Sequence, residues 1–253
     1  MTPKTFKLSA VFEAADPPTW LEGHLVAVRT NVDPRDAPDT LAEVSQGPLE
    51  SQAVLGWLSD KRRRHWLAGR RAAIALAPSL EWGPGQRHIE TTGNGAPILV
   101  QGPLRQTVSI THSGGWAMAA FGPTPILGID YEVGLGDKLH LKSQVCSRRE
   151  ILAHHLEDER ILFAERCRQM AKVWVLKEAF LKAFGVGLVA DLKGFMATSL
   201  ESDVRLRFEG LRPLHAEIPY PIPKNLWAAV TTFHGFPLAV VAAPHPQTDS
   251  RLP

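Results

Sequence analysis

Asp130 and Glu132 stand two residues apart in Leu127-Gly-Ile-Asp-Tyr-Glu-Val. On an extended strand both carboxylates leave the same face, while Ile129 and Tyr131 leave the other. Two like charges placed this way repel unless a cation lies between them. Hard carboxylate oxygens select Mg²⁺, with Mn²⁺ as an alternative, rather than zinc. A third carboxylate, Glu178, occurs in Trp174-Val-Leu-Lys-Glu-Ala-Phe-Leu-Lys, where Glu178 and Lys182 are spaced i, i+4 and share a helix face. Taken alone, the first pair equally describes a solvated strand edge, and the second a surface ion pair worth about 0.3–0.5 kcal/mol. Trp174, Phe180 and Leu181 turn that helix toward a core, and a charge kept beside a core has a partner.

Other residues suit phosphate chemistry. His112 follows a strand and precedes Ser113 and two glycines, a setting for an anion. Lys61 to Arg64, with Arg70 and Arg71, form a basic run, and arginine grips phosphate oxygens two at a time. Such a run also describes a solvated helix face. Ser147 followed by Glu150 reads as a capping box, so Glu150 has a structural explanation as well as a chemical one. Neither a Walker G-x-x-x-x-G-K-[ST] nor a G-x-G-x-x-G is present, which argues against the common nucleotide-binding folds.

The elements that must carry these groups follow from periodicity. A strand is expected over His24 to Thr30, then a polar loop over Asn31 to Thr40. Apolar positions at helical spacing from Ser51 to Ala77 predict two helices or one interrupted helix. Between Ile89 and Glu132, short apolar runs broken by Gly, Pro and Asn predict a sheet, with a tight turn at Gly114-Gly115. Helices follow over Ser147 to Phe184, the second starting near Glu165 and ending at Gly185 and Gly187. Strands are expected again around Val204–Phe208, Leu226–Phe233 and Phe236–Ala242, with a hairpin turn at His234-Gly235. Trp66-Leu-Ala-Gly-Arg-Arg-Ala and Trp174-Val-Leu-Lys-Glu-Ala-Phe are loosely alike, which hints at a duplicated α+β unit. The fold class expected is α+β, in two halves spanning 1–125 and 126–253.

With 253 residues and 44% apolar content the chain can bury a large core. A net charge of +2 and a pI near 8.6 give no overwhelming basic field, so nucleic acid is not expected as a partner. Two cysteines, Cys146 and Cys167, form neither a disulfide framework nor a zinc pattern and suit a reducing cytoplasm. No secretory signal and no apolar run of membrane-spanning length is evident, so no membrane association is expected.

Gly128-Ile-Asp-Tyr-Glu, followed by Trp174-x-x-Lys-Glu-Ala-x-x-Lys, resembles the signature of the Sfp-type 4′-phosphopantetheinyl transferases. Ser109-Ile-Thr-His-Ser-Gly is similar to the family's S-x-S-H-S segment, with Thr111 keeping a hydroxyl. The resemblance covers about Trp66 to Gly187. It implies two α+β halves related by a pseudo-twofold axis, each a small antiparallel sheet packed with helices, with coenzyme A and Mg²⁺ in the cleft between them. It implies transfer of the 4′-phosphopantetheine group of coenzyme A to a serine of an apo acyl or peptidyl carrier protein, as a holo-[acyl-carrier-protein] synthase type enzyme releasing 3′,5′-ADP. The chain is then expected to be a monomer that meets its carriers transiently.

By the same resemblance Asp130, Glu132 and Glu178 hold the metal, and Lys182 assists at the phosphates. Glu150 is the candidate proton acceptor, the capping box being its alternative. His112 contacts a coenzyme A phosphate, with Ser109 beside it. Arg70, and after it Arg63, take the 3′-phosphate, and the backbone of Gly95 to Pro97 lines the adenine. Ala96 departs from the family's pattern, which has a lysine or arginine there. The competing reading is a catalytically inactive module of the same fold that binds coenzyme A or a carrier protein.

Overall fold

Strands form where short apolar runs alternate with Gly, Pro and Asn, and two long helices cover them. The computed structural model describes residues 4–29, 59–134, 138–185, 192–197, 206–207 and 226–244, apart from positions 16, 20, 22, 94, 123, 125 and 195. In chain order the strands are β1 (Lys4–Lys7), β2 (His24–Arg29), β3 (His88–Thr91), β4 (Pro97–Gln101), β5 (Leu104–Thr107) and β6 (Ser109–Ser113). They continue with β7 (Trp116–Phe121), β8 (Ile126–Tyr131), β9 (Met196–Ala197), β10 (Leu206–Arg207), β11 (Trp227–Phe233) and β12 (Phe236–Ala243). The α-helices are α1 (Leu8–Val11), α2 (Asp60–Ala75), α3 (Lys142–Val145), α4 (Arg148–Ala153) and α5 (Phe163–Phe184). The mixed helix and antiparallel sheet content is that of an α+β fold. The helical reading of positions 51–58 and the loop at 31–40 lie outside the described residues.

One topological unit occurs twice. In the first sheet, β2 pairs antiparallel with β7, the second strand of the β6–β7 hairpin, and α2 lies between β2 and the hairpin in sequence. In the second, β8 pairs antiparallel with β12, the second strand of the β11–β12 hairpin, and α5 takes the place of α2. Both hairpins close on two residues with positive φ, Gly114-Gly115 and His234-Gly235, the backbone that two-residue turns require.

The hydrophobic pattern sets the layers. Leu25, Ala27, Met118 and Ala120 of the first sheet pack against Leu127, Ile129, Leu238 and Val240 of the second. The opposite faces carry the helices: Ala72 and Ala73 of α2, with Leu76 just beyond it, against Val26 and Ala119, and Val175, Leu176 and Ala179 of α5 against Ile126 and Val241. Ends are capped as the sequence predicts. Ser147 and Glu150 form a reciprocal capping box on α4, and Gly185 closes α5 at φ 66°.

Gly128 decides how closely α5 meets β8. A Cβ built there would lie 1.9 Å from the Ala179 carbonyl oxygen and 2.5 Å from the Ala183 nitrogen, so helix backbone passes directly over the strand. Ala179 and Ala183 therefore form the contact line, and their neighbours Glu178 and Lys182 flank it, on the strand face that bears Asp130. Gly128→Ala is expected to push the helix away and cost about 3 kcal/mol or more, read as a fall in urea midpoint.

Candidate acidic site and phosphate cavity

The two sheets meet along β6 and β8, and side-chain hydroxyls replace a strand ladder there. Ser109 Oγ accepts from the Ile129 N–H at 2.9 Å, Thr111 Oγ1 from the Tyr131 N–H at 3.2 Å, and Ser113 Oγ from the Val133 N–H at 3.0 Å. Thr111 also donates to Asp130 Oδ1 and Ser113 to Glu132 Oε1, both at 2.8 Å.

Asp130 and Glu132 leave the same side of the strand, as their spacing predicts, and each is held by an ammonium. Lys182 Nζ donates to Asp130 Oδ1 at 2.6 Å, and Lys138 Nζ lies 3.3 Å from Glu132 Oε2. Burial pulls the Glu132 carboxyl upward, but the Gly134 N–H, the Ser113 hydroxyl and Lys138 together hold it below its ordinary range. Glu178 goes the other way. Burial first, then the charge of Asp130, push it up to about 7 against the pull of Lys182 and Lys138, with Glu132 adding to the rise. The three carboxylates thus feel one another across the β8–α5 contact.

Among the described residues, no three His, Cys, Asp or Glu side chains converge closely enough to hold an ion by themselves. That is compatible with Mg²⁺, which keeps waters and is bound through one or two carboxylates plus substrate phosphates rather than an all-protein cage. Hard oxygens, mutual repulsion and hydroxyl-fixed carboxylates fit such an ion.

A cavity of about 380 Å³ opens on the other side of β6, lined by His65, Trp66, Arg70, Thr91, Gly95, Pro97, Ile110 and His112. Strand alternation explains the division: Ser109, Thr111 and Ser113 turn to the seam, while Ile110 and His112 turn to α2. The His65 and His112 rings lie 4.7 Å apart. The Arg70 guanidinium sits 3.5 Å over the Trp66 ring and reaches the Thr91 hydroxyl at 3.4 Å. Gly95 turns the β3–β4 connection at φ 88°, a backbone that favours glycine, and the turn is tied by Thr92 Oγ1 accepting from the Ala96 N–H. Loss of solvent and the His65 charge lower the basicity of His112, while Lys182 and Asp130 also act on it, so this end of the cavity lies beside the acidic site.

Residues 126–223 match the family model described as the 4′-phosphopantetheinyl transferase superfamily, a segment that contains all three carboxylates. The match lies in the C-terminal part of the chain, the part that carries the acidic residues. The chain is 32% identical over 112 residues to the 4′-phosphopantetheinyl transferase psf-1 of Bacillus pumilus, covering 43% of this chain and 44% of that one. It is 26% identical to a phosphopantetheinyl transferase of a Thraustochytrium species, over 61% of this chain and 58% of the relative. The L-aminoadipate-semialdehyde dehydrogenase-phosphopantetheinyl transferase of Mus musculus is also 26% identical, over 68% and 57%. The chain therefore spans 44% to 58% of the length of these curated relatives.

Three of the expected site residues, Glu150, Ser109 and Arg63, do not line the cavity. Glu150, the expected proton acceptor, is fully buried and saturated. Its Oε2 accepts from the Ser147 N–H at 2.9 Å and from Lys177 Nζ at 2.8 Å, and its Oε1 from the Ala197 N–H at 3.0 Å. Lys177 is equally buried and donates further to the Val145 and Leu192 carbonyls. Glu150 here caps a helix and pairs with Lys177, with no exposed surface. Ser109, expected at the coenzyme, spends its hydroxyl on the seam and is buried. Arg63 lies 3.8 Å from Asp60 and does not line the cavity, whereas Arg70, Gly95, Pro97 and His112 do.

Breaking the buried pair should be a matter of stability. Glu150→Gln is expected to cost about 3 kcal/mol because it leaves the Lys177 ammonium buried without its counter-charge, and thermal unfolding measures the loss. Sequence reasoning missed Lys138 and His65. Lys138 sits 4.4 Å over the Trp174 ring as well as on Glu132, so a tryptophan four residues before Glu178 was its one available signal. Cys146, pushed up to about 12 by burial, and the equally buried Cys167 are inert thiols. No helix among the described residues is long and apolar enough to cross a membrane.

Proposed function

We propose that this chain transfers 4′-phosphopantetheine from coenzyme A to a serine of an apo acyl or peptidyl carrier protein, as a Mg²⁺-dependent transferase of the holo-[acyl-carrier-protein] synthase type. The observation that carries the reading is one strand, β6, with hydroxyls gripping Asp130 and Glu132 on one face and His112 lining a phosphate-suited cavity on the other. The halves 1–125 and 126–253 then serve as two walls of one cleft. A cytoplasmic monomer suits the two inert thiols and the transient partner.

In this mechanism Arg70, His65 and His112 bind the phosphates of coenzyme A, and Gly95 to Pro97 border its adenine. Asp130, Glu132 and Glu178 hold Mg²⁺, which when bound neutralises pyrophosphate charge and favours departure of 3′,5′-ADP. Lys182, 2.6 Å from Asp130, adds a point charge at the same phosphates. The serine oxygen forms a bond to the phosphorus that bears pantetheine, and the bond from that phosphorus to the oxygen bridging to 3′,5′-ADP breaks. The serine proton passes to water, because Glu150 is sealed in the core and Glu178 is committed to the metal.

The test is intact mass of an apo carrier after incubation with the protein, Mg²⁺ and coenzyme A. Gain of one phosphopantetheine group supports the reading. Coenzyme A binding with no transfer to several carriers contradicts it and leaves the binding module. Binding itself should depend on pH. Lys61, Arg64 and Arg70 surround His65, whose basicity loss of solvent and the two neighbouring α2 cations lower, and the rings of His65 and His112 share one wall. A phosphate placed there raises both, so affinity should rise as pH falls from 8 toward 6.5, by calorimetry, and His65→Ala should flatten the rise.

A further inference from the structure

The hydroxyls of the seam repeat in a strict register that the proposed chemistry does not by itself explain. Residues 109, 111 and 113 each accept the backbone N–H of the residue twenty positions on, at 129, 131 and 133. The residue before each of those N–H groups is Gly128, Asp130 or Glu132. Where it bears a carboxylate, the same hydroxyl donates to it at 2.8 Å; where it is glycine, the hydroxyl meets no side chain there. We infer that Thr111 and Ser113 are positioning residues for the acidic site: each hydroxyl pins one carboxylate to the strand backbone and so fixes the direction of the oxygens offered to a cation.

The chemistry requires a hydroxyl. It alone among small side chains accepts a backbone N–H and donates to a carboxylate at once. Alanine or valine does neither, and a carboxylate would add a third repelling charge. Bonds to an ionised acceptor are the stronger kind, and partners of metal-binding groups that orient them alter affinity by about 10–100-fold when removed. Asp130 is 6% exposed, so no solvent replaces the lost donor freely. The two arms also tie the halves together: β6 belongs to the first sheet, and the carboxylates to the second. Thr111 stands where the family has serine, and both of its bonds run through the oxygen that the two residues share.

The inference rests on the proposed metal site, and Ser109 supplies the control. It makes the same backbone bond at 2.9 Å but holds no carboxylate. Mn²⁺ is titrated by electron paramagnetic resonance into the full chain with coenzyme A and no carrier, alongside thermal unfolding. Thr111→Val is expected to weaken Mn²⁺ binding by about 10–100-fold, Ser113→Ala to weaken it likewise, and Thr111→Ser to restore it. Ser109→Ala should lower the unfolding temperature and leave Mn²⁺ affinity as it was. Unchanged affinity in Thr111→Val, or an equal loss in Ser109→Ala, overturns the positioning role while leaving the metal reading intact. A chain that binds no Mn²⁺ before any substitution overturns both.

Discussion

Asp130→Ala is expected to lower the rate of carrier modification by about 10³-fold or more, the loss that removing a metal-borne charge stabilisation of several kcal/mol produces. The carboxylate is buried, accepts from Thr111 and Lys182, and stands at the centre of the β6–β8–α5 junction. Its removal takes away a cation ligand and frees Lys182, which is partly exposed and can hydrate. Folding should therefore suffer less than chemistry. Asp130→Asn separates charge from shape: it keeps the volume and an acceptor for Thr111, and should lose transfer almost as fully. Initial rates by intact mass, with unfolding temperature as companion, measure both. A rate within a few-fold of the unaltered chain contradicts the assignment of Asp130.

Glu178→Gln is expected to have two opposite effects, loss of transfer and gain of stability at alkaline pH without metal. The folded chain holds the Glu178 proton up to about 7, whereas the unfolded chain releases it near 4.5. An acid whose folded value is raised contributes stability that is full below the unfolded value and is lost as pH rises through the window to the folded one. The loss by pH 8 is about 3 kcal/mol. Glutamine has no charge to bury, so the variant should exceed the unaltered chain in unfolding temperature at pH 8 in a chelator, and match it near pH 4.5. His24, His65, His112 and His154, all lowered by burial, act with the opposite sign between pH 5 and 7 in both proteins. The difference between the two curves therefore isolates Glu178. Mg²⁺ should close the gap by supplying the counter-charge.

Much of this site was legible because its spacing is local. A two-residue step puts Asp130 and Glu132 on one strand face whatever the rest of the fold does, and a four-residue step aligns Glu178 with Lys182. In the sequence Gly128 is only one letter of a motif; its physical reason, helix backbone 1.9 Å from where a Cβ would be, is a property of tertiary approach. Glu150 shows the limit most clearly. Its capping box is local and was readable, but Lys177, which seals it, lies 27 residues on and arrives by helix packing. Ser109 and His112 illustrate a related limit: strand alternation turns them to opposite faces, so one short motif reaches both the seam and the cavity. His65 and Lys138 gave no signal, since each acquires its role only from a neighbour on another element.

Metal-dependent transfer is read from carrier mass followed across a Mg²⁺ titration. The apo carrier, coenzyme A and this chain are mixed in chelator, and Mg²⁺ is then raised stepwise with Asp130→Ala in parallel. No modified carrier is expected in chelator, a saturable gain of one phosphopantetheine group with Mg²⁺, and none with the variant. Transfer that proceeds equally in chelator, or equally without the Asp130 carboxylate, would contradict this expectation.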